Sequence, residues 1–280
     1  MLLNIGMILI HARGYLMYRI VLATMACFVC YSVGWAQLPS ALHDYELNNS
    51  LADSLGGPSL VNNGATLGAT GLTFAPNQGP SLSNWLGGSA TSGNYSIEMY
   101  FSLTDTNGYR KLIDYQNRTA DAGLYNLNTS LDFYPAASGS SGAIPANTMT
   151  HLVFTRDGGS NQVVGYINGS TALGMSFTDS SNLAVFSAAN NIMQFFQDDA
   201  VTSFNEASGG FVDFIRIYDH SLTAQDAQNL FGAISAVPEP STMIMLAVGA
   251  AGAGMVTYKK LGWKRRQRRN QGATRAVTVA

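Results

Sequence analysis

Between residues 37 and 236, short apolar runs alternate with clusters of Gly, Ser, Asn and Thr. In "YSIEMYFSL" (95–103), Tyr95, Ile97, Met99, Phe101 and Leu103 share one parity, and Ser96, Glu98, Tyr100 and Ser102 the other. A period of two puts these sets on opposite faces of an extended chain, so the run predicts a strand with one buried face. "RKLIDYQ", "LYNL", "SLDFYP", "THLVFTR", "QVVGYI", "IMQFF" and "GFVDFIRIYD" predict further strands. The turn signals "DTNG", "SGSSG", "RDGGSN" and "NGST" separate them. One segment, "SLTAQDAQNLF" (221–231), predicts a helix, with Thr223 as N-cap and Asp226 three residues on as an approximate capping box. Many short strands and almost no helix predict an all-β fold, an antiparallel two-sheet sandwich of jelly-roll type.

The two ends carry a different pattern. "IVLATMACFVCYSV" (20–33) is apolar, follows Arg19 and precedes "GWAQ". That order predicts a secretory signal peptide over 1–36, cleaved after Ala36 with Gly34 and Ala36 at the small-residue positions. An uncleaved anchor is the alternative, and Met17 is a second candidate start. Cys27 and Cys30, the two cysteines of the chain, lie inside this run, so a mature domain would have neither a disulfide nor a thiolate metal site. Met243–Tyr258 is a second apolar run, of 16 residues. As a helix it would cover roughly 24 Å of a bilayer core of about 30 Å, with Tyr258, Lys259 and Lys260 snorkelling to reduce the mismatch. It is expected to be a single transmembrane helix. Lys264, Arg265, Arg266, Arg268 and Arg269 should then stay cytoplasmic, with 270–280 as a cytoplasmic tail.

Charge sharpens this division. Residues 37–236 hold 5 Lys and Arg against 16 Asp and Glu, a balance of −11. So acidic a region excludes nucleic acid as a partner, because phosphates need a basic face.

"VPEPST" (Val237, Pro238, Glu239, Pro240, Ser241, Thr242), the apolar run and the basic end, in that order, resemble a PEP-CTERM sorting signal over 237–269. The resemblance implies processing by an exosortase, a membrane protease or transpeptidase. It also implies export to the cell envelope, cell surface or extracellular matrix of a Gram-negative bacterium. The prolines, which lack an N–H and hold the chain extended, suit a segment presented to a protease. Within 37–236, "HLVFTRDGGSNQVVGYING" and "DFIRIYDHSLTAQD" resemble blocks of a LamG-like, concanavalin A-like jelly-roll domain, although Met149 stands where that family often has Trp. Such domains are mostly binding and adhesion modules, and some relatives are glycosidases. The implied partners are an extracellular polysaccharide or a surface protein.

Chemistry narrows the choice in part. A retaining glycosidase needs two carboxylates about 5 Å apart, and glucanases of this fold carry them in a Glu-x-Asp-x-(x)-Glu run. Glu46, Glu98 and Glu206 are the glutamates of the domain, and none has Asp two residues on. The expectation is therefore a non-catalytic protein, with a carbohydrate-active enzyme as the alternative. His43, His151 and His220 are isolated in sequence, and His151 reads as a packed or hydrogen-bonded strand residue. "FFQDDAVTSFNEASGG" (195–210) is the sharpest polar cluster. Asp198, Asp199 and Glu206 could supply part of a Ca²⁺ shell of six to eight oxygens, and the LamG-like resemblance raises that expectation. The alternatives are a solvated acidic turn or aspartates that satisfy loop N–H groups. A rival calcium site pairs Asp53 with Asp213, which alternates with Phe211, Ile215 and Ile217 and so reads as inward-facing. Tyr100, Tyr109, Tyr115, Tyr125 and Tyr134 offer rings for sugar stacking, with half-buried packing the plainer reading. The sequence picks out no ligand site among them.

Overall fold

The computed structural model describes residues 37–83, 85, 93–186 and 192–235. The expected signal peptide, the sorting motif and the apolar run 243–258 lie outside the described residues. Among those residues, no helix is long and apolar enough to cross a membrane.

Fourteen strands form two antiparallel sheets: β1 His43–Tyr45, β2 Thr66–Gly68, β3 Gly71–Phe74, β4 Ser81–Ser83, β5 Tyr95–Leu103, β6 Tyr109–Asp114, β7 Gly123–Leu127, β8 Ser130–Tyr134, β9 Ala137–Ser138, β10 Thr150–Asp157, β11 Gln162–Ile167, β12 Ser170–Thr178, β13 Ile192–Phe195 and β14 Gly210–Tyr218. The eight-stranded sheet runs β12-β11-β10-β5-β14-β3-β2, with β1 also paired to β14. The six-stranded sheet runs β4-β13-β6-β7-β8-β9. A helix, α1 (Ala224–Ser235), follows. The fold is the expected two-sheet sandwich, consistent with a jelly roll.

The core follows from the alternation. Tyr95, Ile97, Met99, Phe101 and Leu103 of β5 all point between the sheets, where they meet Leu124, Leu131, Phe133, Val212, Ile215 and Ile217. The other face of β5 departs from expectation, since Ser96 and Glu98 are also fully buried. The reason is α1 and the turn before it, which cover that face: Ala227 and Leu230 of the helix and Leu222 ahead of it pack with Val153, Tyr166 and Tyr218. Its N-terminus is the capping box the sequence predicts. The Asp226 N–H donates to Thr223 Oγ1 at 3.2 Å, and Asp226 Oδ2 accepts from the Thr223 N–H at 2.9 Å.

One buried ion pair ties the β10–β11 hairpin to the segment after β12. Arg156 Nε donates to Asp179 Oδ2 at 2.9 Å, while the guanidinium also reaches the Asn161 and Asn182 amide oxygens. Asp179 in turn accepts the Leu183 and Ala184 N–H groups at 2.7 and 3.0 Å. A buried pair that loses one partner leaves an uncompensated charge. Asp179→Ala is therefore expected to cost about 3–5 kcal/mol in chemical denaturation, and a loss below about 1 kcal/mol would show that the pair is solvated.

Candidate functional site

The outward faces of β6, β7 and β8 present Tyr109, Lys111, Tyr125, Asp132 and Tyr134, while Leu112, Ile113, Leu124, Leu131 and Phe133 of the same strands are committed to the core. A β-bulge between Lys111 and Ile113 keeps this phase: Lys111 pairs with Tyr125 outward and Ile113 with Leu124 inward. Gly123 lies beside the lysine, and a Cβ there would meet the Ile113 carbonyl oxygen at 2.9 Å and Lys111 Cε at 3.3 Å.

Lys111 is the only lysine between residues 37 and 236, and its side chain is fully buried. Its ammonium donates to Asp199 Oδ2 and to the Asp121 carbonyl at 3.3 Å, and lies 3.5 Å from Asp114 Oδ2 and 3.9 Å from Asp198 Oδ1. It also sits 4.6 Å over the Tyr125 ring, a cation–π contact. Burial pushes the Asp114 carboxyl up, against the Arg118 N–H and the ammonium that favour its charged form.

The remaining oxygens of this cluster hold the loop 197–206 in place. Asp199 Oδ1 accepts the Val201 and Thr202 N–H groups at 2.8 and 3.2 Å. Asp198 Oδ2 accepts the Thr202 hydroxyl at 2.6 Å and the Glu206 N–H at 2.7 Å. Arg118 Nε donates to the Asp198 carbonyl at 2.6 Å, with its guanidinium over Phe204. Asp198 and Asp199 thus act as the loop-satisfying aspartates of the alternative reading.

This geometry does not suit the calcium expected from Asp198, Asp199 and Glu206. The two carboxylate oxygens that hold no hydrogen bond, Asp198 Oδ1 and Asp114 Oδ2, both face the ammonium. A divalent ion there would sit against a positive charge. Glu206 turns elsewhere, as described below. The rival pair, Asp53 and Asp213, has other engagements. Asp53 is spent on its own loop, taking the His43 ring at 2.7 Å and the N–H groups of Asp44, Leu55 and Gly57. Burial alone would raise its pKa, but these donors outweigh it and hold the carboxyl below the ordinary range. Asp213 is the extra residue of a bulge, since Val212 pairs with Phe101 and Phe214 with Tyr100. The bulge moves it out of phase with Ile215 and Ile217, so it does not face the core as alternation predicts. Among the described residues, no group of three or more His, Cys, Asp and Glu is arranged to hold a metal.

Beside the lysine cluster, Tyr109, Asp121, Tyr134 and Glu206 line a cleft of about 130 Å³. The Tyr109 ring meets Tyr134 edge-on at 5.7 Å and 80°, and Tyr125 at 5.4 Å and 79°. Tyr134 is 37% exposed. The Tyr125 hydroxyl donates to Asp121 Oδ1 at 3.0 Å and fixes that carboxylate. Glu206 is fixed through its backbone, whose carbonyl accepts the Lys111 N–H at 2.7 Å. Burial raises the Glu206 pKa first, and the charges of Asp198, Asp121 and Asp199 raise it further against Lys111. Two of the five tyrosines noted in the sequence therefore reach the cleft. Tyr115 and Tyr125 are fully buried, and Tyr100 stacks on Phe214 of the other sheet.

The histidines are engaged elsewhere. His151 is fully buried, with Nε2 at 2.9 Å from Glu98 Oε1. His43 Nε2 meets the Trp85 carbonyl, and His220 the Asp219 carboxylate. Sequence reasoning passed over Lys111 and Asp121. A lone lysine inside a strand of so acidic a domain was the available signal for the first.

Two antiparallel sheets enclosing one core make a sandwich consistent with a jelly roll. The family model of the concanavalin A-like lectin/glucanases superfamily matches residues 62–228, and the chain belongs to that superfamily. The PEP-CTERM protein-sorting motif matches residues 236–260 and marks the chain for export and sorting to the cell surface in Gram-negative bacteria. No protein of curated function matches the chain. Domain 4 of AbnA, a GH43 extracellular arabinanase from Geobacillus stearothermophilus, is similar at a TM-score of 0.50 and 20% identity, over 69% of this chain and 99% of that one. Trypanosoma rangeli sialidase is similar at 0.54 and 16%, over 73% of this chain and 35% of the sialidase. At these identities the likeness is one of fold.

Because the lysine supplies the cation of this corner, millimolar calcium is expected to leave the melting midpoint of the protein unchanged. Lys111→Met is expected to destabilise it by about 3–5 kcal/mol. A calcium-dependent rise in wild type that disappears in Asp199→Asn would restore the metal site.

Proposed function

We propose that the exported domain is a non-catalytic binding module of the cell surface or exopolysaccharide matrix, and that it holds a glycan in the cleft of Tyr109, Asp121, Tyr134 and Glu206. The observation that carries this reading is the lining itself. Sugar recognition uses aromatic faces for the C–H surface of the ring and planar polar groups for its hydroxyls, and a small number of placed polar groups sets specificity. Here two tyrosine rings from strands β6 and β8 meet two carboxylates from the adjoining loops. The arabinanase domain of the same fold was solved with arabinotriose, in line with a sugar-binding use of such a sandwich.

The rival reading is a hydrolase using Asp121 and Glu206. One observation favours it: Glu206, with its raised pKa, has the character of a general acid. The absence of a Glu-x-Asp strand run weighs against it. A surface protein as ligand would leave the cleft free.

The sorting motif implies an exosortase-type processing partner. We further propose that the apolar run after it holds the chain at the membrane until processing.

A glycan array on the purified protein, paired with reducing-end assays, tests the binding reading. Tyr134→Ala is expected to lose about tenfold in affinity, ~1.4 kcal/mol, with stability unchanged within about 0.5 kcal/mol because the ring is largely at the surface. Release of reducing ends that stops in Glu206→Gln would establish the hydrolase instead. For sorting, replacing Pro238, Glu239 and Pro240 by Ala, Gln and Ala, with the apolar run intact, is expected to block processing. Unchanged tail length would show that the motif is only a spacer.

A further inference from the structure

The cleft is acidic in a way that neutral sugar recognition does not require. Asp121 and Glu206 both stand on its wall, and among the described residues no basic side chain lines it. The cations near it are committed elsewhere. The Lys111 ammonium is fully buried among its own carboxylates. Arg110 is held by Asp105 and by the Tyr109 carbonyl. Arg118 donates to Asp198, Gln197 and Asn77. Further negative charge lies behind the wall, where Asp198 and Asp199 act on Glu206 and Asp132 acts on the Tyr109 phenol.

A second observation points the same way. Asp132 alternates with Tyr134 on β8 and faces the same side of the sheet. It is 4% exposed, and although Oδ2 accepts the Ser138 hydroxyl, Oδ1 has no hydrogen-bond partner. A buried carboxylate oxygen without a donor, on the same strand face as Tyr134 and close enough to act on the Tyr109 phenol, adds to a local shortage of positive charge. The walls decide what kind of charge suits it. Two tyrosine rings at 80° offer a face and an edge, and aromatic faces attract organic ammonium groups. A calcium ion needs six to eight oxygens and gains nothing from rings.

We infer that this cleft selects glycans bearing free amino groups, the chemistry of de-N-acetylated hexosamine polymers, over neutral, N-acetylated or acidic ones. This deepens the binding reading and rests on it. The ammonium sits against Asp121 and Glu206, and the pyranose C–H surface lies on Tyr109 and Tyr134. Uronate and sialate carboxylates are repelled by the wall. N-acetylation removes the charge and adds bulk in a cleft of about 130 Å³.

The test is titration of the full-length protein in detergent with oligomers of glucosamine, of N-acetylglucosamine and of galacturonic acid, each of the same length. The glucosamine oligomer is expected to bind at least tenfold more tightly than its N-acetylated form, with no measurable binding of the uronate. Since the domain is acidic overall, a polycation could adhere anywhere. Glu206→Gln is therefore compared with Glu46→Gln, which removes the same charge from a 48%-exposed side chain paired to Arg216 on the other sheet. Glu206→Gln is expected to reduce the amine preference to within about twofold, and Glu46→Gln to leave it intact. Equal loss in both variants, or none in either, overturns the inference by showing diffuse attraction. Equal or tighter binding of the N-acetylated or acidic oligomer overturns it while the glycan-binding reading stands. Failure of every glycan class on the array overturns both.

Discussion

An ammonium buried among three carboxylates organises the functional face. Lys111 reaches Asp199, Asp114 and Asp198 from the outward side of β6, and no solvent screens these contacts. With the lysine in place, Asp199 and Asp198 turn their other oxygens to the N–H groups of Val201, Thr202 and Glu206. That locks the loop that carries Glu206. The same ammonium touches the Asp121 carbonyl, and the Tyr125 beneath it holds the Asp121 carboxylate. Both acidic walls of the cleft therefore hang from one buried charge. Such clusters are weak sources of net stability but costly to break, so their effect here is to position rather than to strengthen.

Much of the sandwich was legible because burial imposes a period of two. The β5 alternation, the β10–β11 hairpin and the capping box of α1 all appear where the sequence puts them. Legibility failed where tertiary context overrides local pattern. β12 escaped notice because it is an edge strand of small and polar residues, several of them exposed. The bulge at Asp213 inverts its phase without any local mark in the sequence. The outer face of β5 reads as solvent-facing, yet α1 buries Glu98 there. The acidic cluster at 198–206 reads as a calcium site, and the structure places the Lys111 ammonium against Asp199 there. Its cation comes from a strand 88 residues away in sequence, so counting carboxylates could not reveal it. The cleft was illegible for the same reason: Tyr109 and Tyr134 come from two strands and Asp121 and Glu206 from two loops, brought together only by tertiary contacts.

The two outer faces of the sandwich differ. On the eight-stranded sheet, α1 covers Val153, Tyr166 and Tyr218. The helix ends at Ser235, and the match to the sorting motif begins at the next residue. The cleft lies on the outer face of the six-stranded sheet. The helix that precedes the sorting motif and the cleft thus lie on opposite outer faces of the sandwich. The fold alone does not assign a ligand; the assignment rests on the cleft and its charge.

A crystal structure of the protein with a bound oligosaccharide tests most directly whether the cleft holds the ligand. A sugar ring is expected against Tyr109 and Tyr134, with Asp121 and Glu206 within hydrogen-bond distance of its polar groups and Lys111 still enclosed by Asp114, Asp198 and Asp199. A sugar seated on the eight-stranded sheet, or one held by a metal ion at Asp198 and Asp199 with the lysine displaced, would contradict it.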